Sequence, residues 1–224
     1  MITSVIVTIV AVLIFLLIII GFFSPSIKAF FEKHFYRKKI YKILHFYAEE
    51  NDELLINKVS LYLTRQDQDL KPANIDHILL TKKYVYVFHD FYAKGGLYGN
   101  LQDEYLFLKG YNGKVTKVIN PVLTNESVTK KLEALVTNSE ADPKEPSCFV
   151  SVVCYNDSLI VSDNLKKNQF SSVFIPIKDL AKELKVVEQD NVPEIPAEMT
   201  ESLVNKIKER SDDIKEDIKN KRKR

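Results

Sequence analysis

Apolar positions change their rhythm several times along the chain, and each change predicts an element. Residues 2–23, ITSVIVTIVAVLIFLLIIIGFF, are charge-free and apolar on every side. From 27 to 50 the apolar residues (Phe30, Phe31, Phe35, Ile40, Leu44, Tyr47) recur at three- and four-residue steps, which predicts an amphipathic helix. Residues 75–80 read as a short strand, Thr81-Lys82-Lys83 as a polar break, and 84–92 as a strand rich in β-branched and aromatic residues. A period of two places Val85, Val87, His89 and Phe91 on one face of that strand, and Tyr84, Tyr86, Phe88 and Asp90 on the other. Gly95, Gly96 and Gly99, half of the six glycines, then turn the chain.

Around this centre the pattern predicts a strand through Val59, Leu61 and Leu63, and a polar loop over 65–73. Strands follow at 105–108 and 114–119 about the hairpin signal Asn112-Gly113. Residues 126–136 make a helix with Val128, Leu132 and Leu135 inward, and 137–147 an exposed loop. Strands at 148–155, 159–161 and 173–177 precede a helix starting over 177–184. Strands alternating with helices imply an α/β fold with a mixed sheet flanked by helices. Pro193 and Pro196 mark a linker, and 198–220 a charged helix with a thin stripe of Met199, Leu203, Ile207, Ile214 and Ile218, interrupted near Arg210-Ser211. The expected organisation is 2–23, 24–50, 51–187 (the α/β domain), 188–197 (linker) and 198–224 (helix with a basic tail).

Roughly 20 apolar residues suffice to cross a bilayer as a helix, so 2–23 is expected to be one N-terminal transmembrane helix ended by Ser24-Pro25-Ser26. It lacks the basic start and small-residue cleavage site of a signal peptide. Lys28, Lys33, Arg37, Lys38, Lys39 and Lys42 follow it against the single acid Glu32. The positive-inside rule then predicts a single-pass protein with its N-terminus outside and the rest cytoplasmic, 24–50 lying next to the membrane. Cys148 and Cys154 fall in one strand, about 20 Å apart, too far for a disulfide. With 32 basic and 30 acidic residues the net charge is +2, which excludes a strongly basic nucleic-acid binder but leaves a local patch open.

The centre of the chain resembles the nuclease-related domain (NERD) family, a branch of the PD-(D/E)XK nucleases. The residues carrying the resemblance are Ile75-Asp76-His77, Val85-Tyr86-Val87-Phe88, Lys94-Gly95 and Leu97-Tyr98-Gly99. Asp103-Glu104-Tyr105, Asn120-Pro121-Val122 and Ser151-Val152-Val153 continue it. The resemblance implies a restriction-endonuclease-like sheet and a divalent cation, magnesium or manganese, held by two carboxylates beside a lysine. Asp76 stands at the first carboxylate position. His89 stands where the family has its Glu, and Phe91 where it has its Lys. Imidazole is a poor ligand for magnesium, and a phenyl ring cannot donate to phosphate. Lys38 or Lys39 falls near a further acidic position of the family, and Thr124 near a glutamine position.

Two readings of the site follow. In one, Asp76, His89, Asp90 and Lys94 are vestiges of a nuclease site, no cofactor is expected, and the protein binds nucleic acid or a protein without cutting. In the other, Asp76, Asp90 and Lys94 form a relocated, metal-dependent site, although strand alternation turns Asp90 away from His89. A third possibility gives the work to 198–224 as a protein-binding helix of a membrane-bound assembly factor. The basic end has anionic lipid or RNA as possible partners.

Overall fold

The computed structural model describes residues 2–63, 72–137, 147–166, 172–187 and 192–221, with the side chains of 2–6, 19–20, 22–26 and 212–221 outside the description. The chain divides into two compact units, Met1–Lys39 and Ile40–Arg224.

Helix α1 is Ile2–Asn51. It continues through Ser24-Pro25-Ser26, where a break was expected: an interior proline costs about 3 kcal/mol or more, yet helix runs for more than twenty residues on either side of it. Among the described residues no helix is long and apolar enough to cross a membrane. This overturns the expected transmembrane helix, its topology and the membrane-adjacent role of 24–50. The helix goes on without interruption through the charged residues Lys28, Glu32, Lys33 and Arg37.

The second unit is built on two sheets. The larger contains β1 (Leu54–Leu61), β2 (Ala73–Leu80), β3 (Val85–Phe91), β7 (Phe149–Tyr155) and β9 (Ser172–Pro176), in the order β1-β2-β3-β7-β9. β1, β2 and β3 run antiparallel, while β7 and β9 add in parallel, so the sheet is mixed as expected. The smaller sheet has the order β6-β5-β4-β8, from β4 (Gly96–Tyr98), β5 (Tyr105–Lys109), β6 (Val115–Ile119) and β8 (Ile160–Val161). Helices α2 (Pro121–Thr137), α3 (Leu180–Val187) and α4 (Ala197–Lys221) complete the unit.

Local sequence accounts for the boundaries that matter. Asp52 in the left-handed region, with its following amide bonded to the Ala48 carbonyl, closes α1 ahead of β1. Asn120 caps α2: its Oδ1 accepts from the Val122 amide at 2.9 Å, and its Nδ2 donates to the carbonyls of Leu101 and Asp103. Pro121 fits behind it because the first helical position has no use for its amide hydrogen. At Gly95 a Cβ would come 2.1 Å from the Lys109 carbonyl oxygen, so only glycine lets β4 lie against β5 there.

Helix α2 lies against β3, β7 and β9, and α4 lies against β1 and α2. One core joins Ile78, Leu80, Val85 and Val87 of the large sheet to Leu132 and Val136 of α2 and to Leu203 and Ile207 of α4. A second joins Val153, Tyr155 and Phe174 to Leu97, Leu106 and Val161 of the small sheet. Helix α4 is continuous through Arg210-Ser211, where an interruption was expected. Its anchor is the packing of Leu203 and Ile207, which a mid-helix serine does not disturb. The backbone before it is held at Ile195, whose amide bonds the Lys82 carbonyl at 2.7 Å. The predicted loops at 65–73 and 137–147, the start of the linker and the basic end fall mostly or wholly outside the described residues.

Candidate functional site

The β2–β3 hairpin is pinned by Thr81, whose amide bonds the Tyr84 carbonyl and whose Oγ1 accepts from the Tyr84 amide at 3.0 Å. The turn sets His77 opposite Phe88 and Ile78 opposite Val87. One step beyond, the same register sets Asp76 opposite His89 and Ile75 opposite Asp90. The hairpin therefore carries an Asp–His pair on each of its faces.

Asp76 and His89 share the face that α2 covers further along the strands. His89 Nδ1 lies 3.1 Å from Asp76 Oδ2, with side chains 39% and 23% exposed. The same Oδ2 accepts from the Asp90 amide at 2.9 Å. That oxygen thus takes two donors, and His89 presents its Nδ1–H to it.

His77 and Asp90 occupy the opposite face. His77 Nε2 lies 3.2 Å from Asp90 Oδ2, and the two side chains are only 5% and 2% exposed. His77 Nδ1 lies 2.6 Å from Asn57 Oδ1, which can only accept, so Nδ1 carries a proton. His77 thus bridges Asn57 and Asp90 through its two ring nitrogens. Asp90 Oδ1 is buried with no hydrogen-bond partner among the described residues. Cys154 stands beside Asp90 in register on β7. Burial pushes its thiol well above the ordinary range, and the Asp90 and Asp76 carboxylates push it the same way, Asp90 the more strongly.

The other residues singled out from sequence lie elsewhere. Phe91 packs against the core between the two sheets. Lys94 follows β3 and is half-buried. Thr124 turns its hydroxyl back onto the Asn120 carbonyl at 2.9 Å. The amide that reaches the sheet belongs to Asn125, one position later, which donates to the Val87 carbonyl at 2.8 Å and to Ser151 Oγ at 2.9 Å. Sequence reasoning missed both Asn125 and Asn57. Asn125 had a signal: it falls on the stripe Val122, Asn125, Thr129, Leu132, Val136, where a polar residue at a buried helical step needs an internal partner.

The metal that the resemblance implies does not fit the donors present. Asp76 is the lone carboxylate on its face of the hairpin, and one of its oxygens is already engaged twice. The group beside it is an imidazole, and Asp90 is turned through the sheet to the other side. Among the described residues no three His, Cys, Asp or Glu side chains converge as a metal site.

Fold and site together define an α/β domain with a carboxylate–imidazole pair on the hairpin where a two-carboxylate centre would be needed to hold a hard cation. The chain belongs to the nuclease-related domain family, whose model matches residues 32–156, more than half its length. No curated protein and no solved structure matches it.

Proposed function

We propose that this protein is a catalytically silent nuclease-related domain that binds nucleic acid without cutting it. The observation that carries the reading is the engagement of Asp76 Oδ2 by His89 Nδ1 and the Asp90 amide. A carboxylate used this way is a hydrogen-bond acceptor of the hairpin, and the imidazole beside it supplies neither the charge nor the oxygen that magnesium prefers. Phe91 adds no proton donor for a phosphate. The relocated alternative, with Asp90 joining Asp76, is disfavoured because Asp90 is buried against His77 on the opposite face.

A protein partner bound through 198–224 remains a separate proposal, narrowed by the use of Leu203 and Ile207 in the domain's own core. The test of the main reading is hydrolysis of single- and double-stranded DNA and RNA by the purified full chain with magnesium or manganese. No cleavage above background is expected. Metal-dependent cleavage that survives repurification and vanishes in Asp76→Ala overturns the proposal.

A further inference from the structure

The smaller sheet buries one face and leaves the other open. Leu97, Leu106 and Val161 point into the core against Val153 and Phe174. On the outer face, register places Tyr98, Phe107 and Lys117 side by side across β4, β5 and β6. The next row is Gly96, Lys109 and Val115. Tyr98 and Phe107 are 45% and 48% exposed, an unusual state for two adjacent rings in mid-sheet.

Tyr98 leans across the sheet: a Cβ at Gly96 would meet its Cε2 and Oη at 2.7 Å, so only glycine leaves room for the ring there. On the far side, Lys117 Nζ sits 3.7 Å from the centroid of the Tyr105 ring. No acidic residue occurs within β4, β5 or β6. Glu104, which precedes β5, is engaged by the Tyr105 hydroxyl, and this raises that phenol's pKa. Exposed rings with lysines at their edges and no carboxylate between them match the chemistry of unpaired bases on a phosphate backbone. Every base has a π-face to stack, and ammonium groups follow the phosphates without reading sequence. A duplex keeps its bases stacked on one another and cannot use such a surface.

We infer that the outer face of the smaller sheet is a stacking platform for single-stranded nucleic acid, with Tyr98 and Phe107 receiving bases and Lys109 and Lys117 tracking phosphates. This rests on the nucleic-acid reading above and gives it a location away from Asp76.

The experiment is fluorescence anisotropy of the full chain with labelled twelve-nucleotide oligo-dT and oligo-U, and with a duplex of equal length. Both single strands are expected to bind more tightly than the duplex, and the dT and U arms report which sugar is preferred. Tyr98→Ala and Phe107→Ala should each weaken single-strand binding by about tenfold. Lys117→Gln should reduce the slope of log K against log salt by about 0.7. Circular dichroism checks that the variants fold. If the wild-type chain binds single strands and the ring variants bind equally well, the platform is wrong while the nucleic-acid reading stands. If it binds no nucleic acid, both fall. If the ring variants instead turn a wild-type dimer into a monomer in sedimentation, the face joins two copies and the inference is overturned. Metal-dependent cleavage by the wild type would overturn only the silent-site reading.

Discussion

The two faces of one hairpin carry the same pair of residue types at nearly the same distance, and they behave as different objects. Asp76–His89 is 3.1 Å apart and partly solvated; His77–Asp90 is 3.2 Å apart and almost wholly buried. The sequence positions differ by a single step on each strand, so the parity of the strand assigns each pair its face. Exposure then decides what the pair can do. Water around Asp76 and His89 dilutes their attraction and keeps them available to a ligand. His77 and Asp90 are shut away from bulk solvent, so a lost partner is costly there and the pair is bound into the fold with Asn57.

The largest expected effect comes from breaking the buried pair. Asp90→Ala should destabilise the protein by about 3–5 kcal/mol, because it strands His77 in the interior. Denaturant unfolding measures this, and replacing both residues with apolar side chains of similar size should recover much of the loss. A single variant as stable as the wild type would show that the pair is not coupled. Next is the solvated face. His89→Glu with Phe91→Lys should place a second carboxylate beside Asp76 and raise calcium or manganese affinity at least tenfold, about 1.4 kcal/mol, by calorimetry. Adding Asp90→Asn should leave that gain unchanged, since Asp90 lies across the sheet. If the folded double variant gains no affinity, or Asp90→Asn removes the gain, the facing of the strand is misassigned.

Asp76→Asn should cost only about 1 kcal/mol, since water replaces part of what His89 loses. A loss matching that of Asp90→Ala would erase the distinction between the faces. The smallest effect reads the same distinction through Cys154, a fully buried thiol that burial above all pushes well above the ordinary range. It should be alkylated slowly near neutral pH, at a rate set by opening of the fold, so Asp90→Ala should speed alkylation far more than Asp76→Asn does, with the partly exposed Cys148 as the internal reference. Equal acceleration by both would contradict the difference between the faces.

Much of this arrangement was legible in the chain. The alternation of residues 84–92 and the Thr81-Lys82-Lys83 turn are local signals, and a turn plus a period of two fixes which side chains share a face. The start of α2 was read late, at 126, although Asn120 caps it and Pro121 is its first residue. Long-range pairing was not legible. Asn57 meets His77 only because β1 returns antiparallel to β2, with Lys58 in the left-handed region at φ 53°, a conformation its residue type does not announce. β4 finds β8 in parallel across some sixty residues, and nothing local marks the partner. The stripe on α4 read as a surface for another molecule because amphipathicity says that a face will be covered, without saying by what. At the N-terminus, too, hydropathy registered the apolar run 2–23 but not that its helix goes on unbroken into the charged residues from Lys28.

The burial of Leu203 and Ile207 against β1 has a consequence for biosynthesis. β1 ends at Leu61, yet the helix that helps to cover it begins at Ala197, so this part of the hydrophobic core waits for the long stretch between them to be made. At about 5–20 residues per second, the nascent protein spends roughly 7–27 seconds with that sheet edge uncovered. During that interval the exposed apolar strand is a substrate for chaperones and a hazard for neighbouring chains. A truncation ahead of Leu203 would thus remove part of the core rather than a dispensable tail.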